Sequence, residues 1–203
     1  MVKFVLVLFL LALPLRDQCG AAARGAADEA LRQEAKGAKG KYLRTIEDYR
    51  VPNVTLLNQD GKKIKLRSFL DQGKPVIIDF IFTTCTTICP VLSAGFSHLQ
   101  DRLGDGAKSV QLVSISIDPA YDRPEQMKAY LARYNAGAGW DFLTGSREDI
   151  ALVLKAFDAA VADKMSHLPL YILRGPESDE WVRIKGLISG AELMRELGKV
   201  QKK

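Results

Sequence analysis

Val76-Ile77-Ile78-Asp79-Phe80-Ile81-Phe82-Thr83-Thr84-Cys85-Thr86-Thr87-Ile88-Cys89-Pro90 is the stretch from which the rest of the chain can be read. Residues 76–82 are almost continuously apolar and rich in β-branched and aromatic side chains, the pattern of a strand buried on both faces. Pro90 suits the first turn of a helix, where its missing N–H costs nothing. Two thiols therefore sit between the end of a central strand and the start of a helix. The unpaired N–H groups there favour thiolate over thiol. Cys85 and Cys89 are spaced C-x3-C, not the C-x2-C of thioredoxin-type redox motifs. At helical geometry they share one face, about 5–6 Å apart at Cβ. That spacing lets them converge on one metal ion or close a disulfide.

Outward from this stretch, strands and helices alternate. Residues 54–57 and 63–66 flank Asn58-Gln59-Asp60-Gly61 and predict a β-hairpin. A short helical turn at 68–70 is broken by Gly73 and Pro75. Residues 90–103 carry Leu92, Phe96, Leu99 and Leu103 as one apolar stripe, with His98 beside it as an ordinary surface or boundary histidine. A second buried strand covers 110–117 and ends at Asp118-Pro119, where Asp118 caps a turn. Asp122 and Glu125 around Pro124 predict a capping box opening a helix to about 134. A strand at 140–144, a helix at 147–158, a second hairpin (170–173 and 181–184) and a helix at 190–200 complete the order. Trp140 and Trp181 read as packing residues. Asp79 lies inside a buried run and needs a hydrogen-bond partner. This order predicts an α/β protein with a thioredoxin-like fold: a mixed central sheet flanked by helices, with an N-terminal β-hairpin. Ligand chemistry in such sheets gathers at the carboxyl ends of strands, where the cysteine loop lies.

Length and composition set the frame. The chain has 203 residues, 47% of them apolar and 26% charged, with a formal net charge of +5. This suits one globular domain. The basic residues are dispersed, which argues against nucleic-acid binding, although a mildly basic surface suits an acidic partner or an anionic membrane. Residues 1–23 read as a signal peptide, with Lys3 in the basic region, an apolar run at 4–13 and Ala21-Ala22-Ala23 as the cleavage site. Cleavage is favoured over retention as an anchor. Residues 24–48 read as a flexible linker and 49–203 as the folded domain. Export to the periplasm leaves Cys85 and Cys89 in an oxidising compartment.

His167 is the third candidate. In a thioredoxin-like fold the loop Met165-Ser166-His167-Leu168-Pro169 passes over the cysteine loop. Two thiolates and an imidazole suit copper or zinc. The plainer alternatives are a loop histidine bonded to backbone and a structural disulfide. A C-x3-C ring, however, is too short to stabilise much through chain entropy.

Taken together, residues 82–90, Val113-Ser114-Ile115-Ser116-Ile117-Asp118-Pro119, Asp122, Pro124, Glu125, Tyr130 and the downstream His167 resemble the Sco/SenC family of thioredoxin-like copper proteins over about 51–197. The resemblance implies a copper metallochaperone and thiol-disulfide protein for assembly of the copper centre of cytochrome c oxidase. Cys85, Cys89 and His167 match the family's copper ligands, for Cu(I) and, with a further ligand, Cu(II). The implied partners are a copper-accepting oxidase subunit or other cuproprotein and a thiol-disulfide partner. Thr86 stands where many members have proline, Ser166 where many have aspartate, and Pro169 also departs from many members. An aspartate at 166 would orient the imidazole, so Cu(II) affinity is expected to suffer more than Cu(I) binding. The alternative is an enzyme, a periplasmic thiol-disulfide oxidoreductase or thiol peroxidase, with Cys85 attacking and Cys89 resolving.

Overall fold

The computed structural model describes residues 42–202. The predicted signal peptide, and the linker up to residue 41, lie outside the described residues. Eight strands form one mixed sheet: β1 (Leu43–Glu47), β2 (Thr55–Asn58), β3 (Lys63–Lys65), β4 (Val76–Ile81), β5 (Gln111–Ser116), β6 (Trp140–Thr144), β7 (Leu170–Arg174) and β8 (Trp181–Lys185). Their order across the sheet is β1-β8-β7-β4-β5-β6-β2-β3. β4 pairs parallel to β5 and β5 parallel to β6, while β7 runs antiparallel along the other side of β4. Every residue of β4 is buried. Full burial of a side chain such as Ile78 contributes about 1.5–3 kcal/mol, so this strand anchors both faces.

Alternation along β4 divides the core. Ile77 and Ile81 face α2 (Cys89–Leu103), α3 (Pro124–Arg133) and α5 (Gly190–Val200). Val76, Ile78 and Phe80 face α1 (Leu66–Leu70) and α4 (Arg147–Ala156). The α2 stripe buries Leu92, Phe96 and Leu99 as its spacing requires. α5 starts hard against α2: a Cβ at Gly190 would stand 2.5 Å from His98 Cδ2. His98 is exposed and accepts a hydrogen bond from Arg102 Nε at 2.9 Å, which fits its reading as a surface residue. Trp140 and Trp181 are buried packing residues. Among the described residues no helix is long and apolar enough to cross a membrane.

The structure corrects three expectations. The stretch read as linker contains β1, which pairs antiparallel with β8 from Leu43↔Lys185 to Glu47↔Trp181. Its Arg44 bonds the buried Glu196 of α5 at 2.8 Å, and Tyr42 reaches the same carboxylate at 2.8 Å. Asp122 makes no capping box: α3 has Arg123 at its N-cap with no side-chain cap, and the Asp122 carboxylate is spent elsewhere. Asp79 has no hydrogen-bond partner at either carboxylate oxygen among the described residues. The Ser114 hydroxyl opposite it accepts from Trp140 Nε1 at 3.0 Å.

Candidate metal centre

The cysteine loop is shaped by the end of β4. Cys85 N–H donates to Phe82 O at 3.1 Å, turning the chain back over the strand. Thr83 then fixes the loop sideways. Its N–H donates to Asp122 Oδ1 at 3.1 Å and its hydroxyl donates to the same oxygen. Ser116 Oγ donates to Asp122 Oδ2 at 2.6 Å, so one buried carboxylate ties the cysteine loop to the end of β5. Burial raises the pKa of Asp122, with the Ser116 and Thr83 donors pulling against that rise.

Helix α2 begins at Cys89 with Ile88 as N-cap, a residue with no side chain able to bond the free N–H groups. A sulfur partly fills that gap: Cys89 N–H donates to Cys85 Sγ at 3.4 Å. Thr87 Oγ1 lies 3.7 Å from the same sulfur. Burial pushes the Cys85 thiol up, but donors from Cys89 and Thr87 outweigh it and hold the thiol below its ordinary value. Burial raises Cys89, and the neighbouring Cys85 raises it further. The pair is thus asymmetric, with Cys85 the more readily deprotonated of the two.

His167 reaches the pair from the loop before β7, just after a single 3-10 turn at Lys164–Ser166. Lys164 O lies 3.0 Å from Nδ1 and can only accept, so Nδ1 carries the proton. Nε2 is left with its lone pair and sits 3.5 Å from Cys89 Sγ. The Phe82 ring packs against the imidazole at 5.6 Å with an interplanar angle of 66°. Burial lowers the His167 pKa and the Lys164 carbonyl partly restores it. Burial therefore favours the neutral ring, with a free lone pair at the nitrogen that faces the sulfurs. The ligand atoms of Cys85, Cys89 and His167 all lie within 4.8 Å of one another. Both sulfurs are free and buried. Two sulfurs and one imidazole nitrogen form a soft, enclosed donor set that fits Cu(I).

Cys85, Cys89 and His167 come together in this cluster, whereas His98 and Trp181 lie elsewhere. Asp118 does close a turn, with its carbonyl accepting from Tyr121 N–H at 3.1 Å, but its side chain meets Lys164. Asp79 lies under the site on the α2 side of the sheet. Its burial raises its pKa to about 7 despite the nearby Ser114 hydroxyl. Sequence reasoning missed Thr87, Lys164 and the true work of Asp122. A threonine two residues after the first cysteine was a local signal; contacts across 39 and 46 positions left none. A cavity of about 190 Å³ opens beside His167, lined by Ile117, Val161, Leu168, Pro169 and Arg183.

A family model described as SCO1/SenC matches residues 47–195. The SCO1 protein homolog of Bacillus subtilis is 38% identical over 146 residues, covering 68% of this chain and 75% of that protein. The solved structure of BsSco, described as a member of the Sco family of cytochrome c oxidase assembly proteins with a disulfide switch, superposes with a TM-score of 0.64. It shares 32% identity, over 77% of this chain and 95% of that one. The structure of Bradyrhizobium japonicum ScoI with copper bound gives a TM-score of 0.59 and 26% identity, over 72% of this chain and 96% of that one.

Proposed function

Because this chain belongs to the SCO1/SenC family, we propose that it is a copper-binding metallochaperone that assists assembly of the copper centre of cytochrome c oxidase. Copper is its cargo. The observation that carries this reading is the convergence of Cys85 Sγ, Cys89 Sγ and His167 Nε2 in a buried cluster. Both sulfurs bind the ion as thiolates, and Cys89, whose pKa burial raises, gives up its proton less readily than Cys85. Uptake therefore releases protons and weakens as pH falls. The chain acts outside the cytoplasm, a reading supported by the basic and apolar N-terminal segment.

Its recipient is a copper-accepting subunit of the oxidase, reached by protein docking. Support comes from the surface around the cluster. Val91 lies in the first turn of α2, Tyr121 in the turn after β5, Met165 and Leu168 flank His167, and all four are exposed. An apolar rim around a polar cluster suits a protein partner.

A second reading rests on the unequal cysteines. A Cys85 thiol held below its ordinary pKa beside a Cys89 thiol raised above it suits attack by the first and resolution by the second in thiol-disulfide exchange. The reduced domain titrated with Cu(I) against a competing chelator separates the two. Tight one-to-one binding, lost in Cys85→Ser and Cys89→Ser and weakened by orders of magnitude in His167→Ala, is the expected result. No binding, together with rapid disulfide exchange through Cys85, would move the protein to the redox reading.

A further inference from the structure

We infer that the Asp118–Lys164 ion pair is a clasp that holds His167 in its ligating orientation, making both residues positioning residues of the metal centre. The inference rests on the copper reading above. Lys164 is held at two ends. Its Nζ bonds Asp118 Oδ2 at 2.5 Å, and its backbone carbonyl lies 3.0 Å from His167 Nδ1. The backbone N–H of His167 donates to the same carbonyl at 3.4 Å. Between the two ends the side chain arches over Phe82, with Nζ 5.2 Å from the centre of the ring that packs on the imidazole.

The far end of the clasp is anchored. Asp118 N–H donates to Ser116 Oγ at 3.0 Å, and Ser116 donates to Asp122, which holds Thr83 of the cysteine loop. One polar path therefore runs from the cysteine loop through Asp122, Ser116, Asp118 and Lys164 to His167. The loop it fastens needs fastening, since residues 161–166 are all exposed.

Position 166 holds serine, so no carboxylate beside the imidazole can orient it. The Lys164 carbonyl does so instead, and the ion pair fixes where that carbonyl points. Lys164 is 42% exposed, so the pair contributes little to folding stability. Its consequence is chemical. With Nδ1–H pinned, the lone pair of Nε2 faces Cys89; with the pin loosened, the ring can turn or swap tautomer and present a proton where a ligand is needed.

The test is Cu(I) competition titration of the reduced domain, joined to ¹⁵N spectra of the imidazole in the metal-free protein. Asp118→Asn and Lys164→Met should each weaken Cu(I) binding about 10–100-fold, the usual cost of losing a partner that orients a ligand. Lys164→Arg should retain most of the affinity. In a His167→Ala background neither substitution should weaken binding further, because the clasp acts only through that ring. The metal-free wild type should show the Nδ1–H tautomer, and both variants a mixture. Wild-type affinity in both variants overturns the clasp, as does an equal fold-loss without His167. If the wild type itself binds no Cu(I), the copper reading fails instead. The spectra then decide alone, and an unchanged tautomer in both variants overturns the inference.

Discussion

Asp79 carries a cost that the rest of the core must offset. It is fully buried in β4, and neither carboxylate oxygen has a hydrogen-bond partner among the described residues. Its folded pKa of about 7 stands above the roughly 3.9 of an unfolded aspartate. Between those values the folded chain holds a proton that the unfolded chain has released. This group's contribution therefore favours folding at low pH and is lost as pH rises to about 7. Between pH 5 and pH 8 the loss is about 3 kcal/mol, at about 1.4 kcal/mol for each tenfold change in proton activity. Asp79→Asn should remove that slope. Urea unfolding at pH 5 and pH 8 checks it: the stability difference between the two pH values should narrow by about that amount relative to wild type. An unchanged difference would mean that Asp79 does not titrate in this range. The sequence made the residue conspicuous, as a charge inside an apolar run. It could not reveal that the Ser114 hydroxyl opposite it accepts from Trp140, on the strand beyond.

At the scale of elements, legibility followed how local the cause was. β4 and β6 were readable because a dense apolar run carries its own instruction; α5 falls at 190–200 in the sequence reading without use of the Ser189–Glu192 capping box that opens it. β1 had no such signal. Its five residues are exposed or half-buried in no alternating order, and no face of it is fully buried. It exists because β8 offers an edge and Glu196, 152 positions away from Arg44, offers a charge. Asp122 failed as a cap for a related reason: donors from Thr83 and Ser116 outcompeted the helix end beside it. A chain begun at Tyr49, where the sequence alone would put the domain boundary, should melt several degrees below one begun at Tyr42. Removing β1 exposes the edge of β8 and leaves the buried Glu196 with Lys199 alone among its three partners. Thermal unfolding of the two truncations measures this, and equal midpoints would show that β1 contributes nothing. The site was legible to the same degree. Cys85 and Cys89 announce themselves by spacing and His167 by its place before β7, whereas Lys164 acts through a contact across 46 positions with no signature in spacing.

At the scale of the described domain, the proposed copper cluster follows the carboxyl end of β4, and Val91, Tyr121, Met165 and Leu168 are exposed on the segments that carry or adjoin it. If a recipient docks there, charge placed on the rim should slow delivery without touching storage. Leu168→Glu should leave Cu(I) affinity within about twofold of wild type, because its side chain is 57% exposed and lies outside the donor set. Transfer to a copper-accepting protein, followed by stopped-flow spectroscopy, should slow by about tenfold, the effect of some 1.4 kcal/mol at an interface. Undiminished transfer would place the docking face elsewhere.

The antiparallel pairing of β7 with β4 also has a consequence in time. Cys89 and His167 are 78 positions apart, and the imidazole arrives only when β7 closes against a strand laid down much earlier in the chain. Such distant pairings form late and slowly. During folding, therefore, the molecule passes through an interval in which both sulfurs are present and the nitrogen is not. In an oxidising milieu that interval is an opening for oxidation to outrun metallation, so a newly made molecule is expected to need reduction before its first cargo.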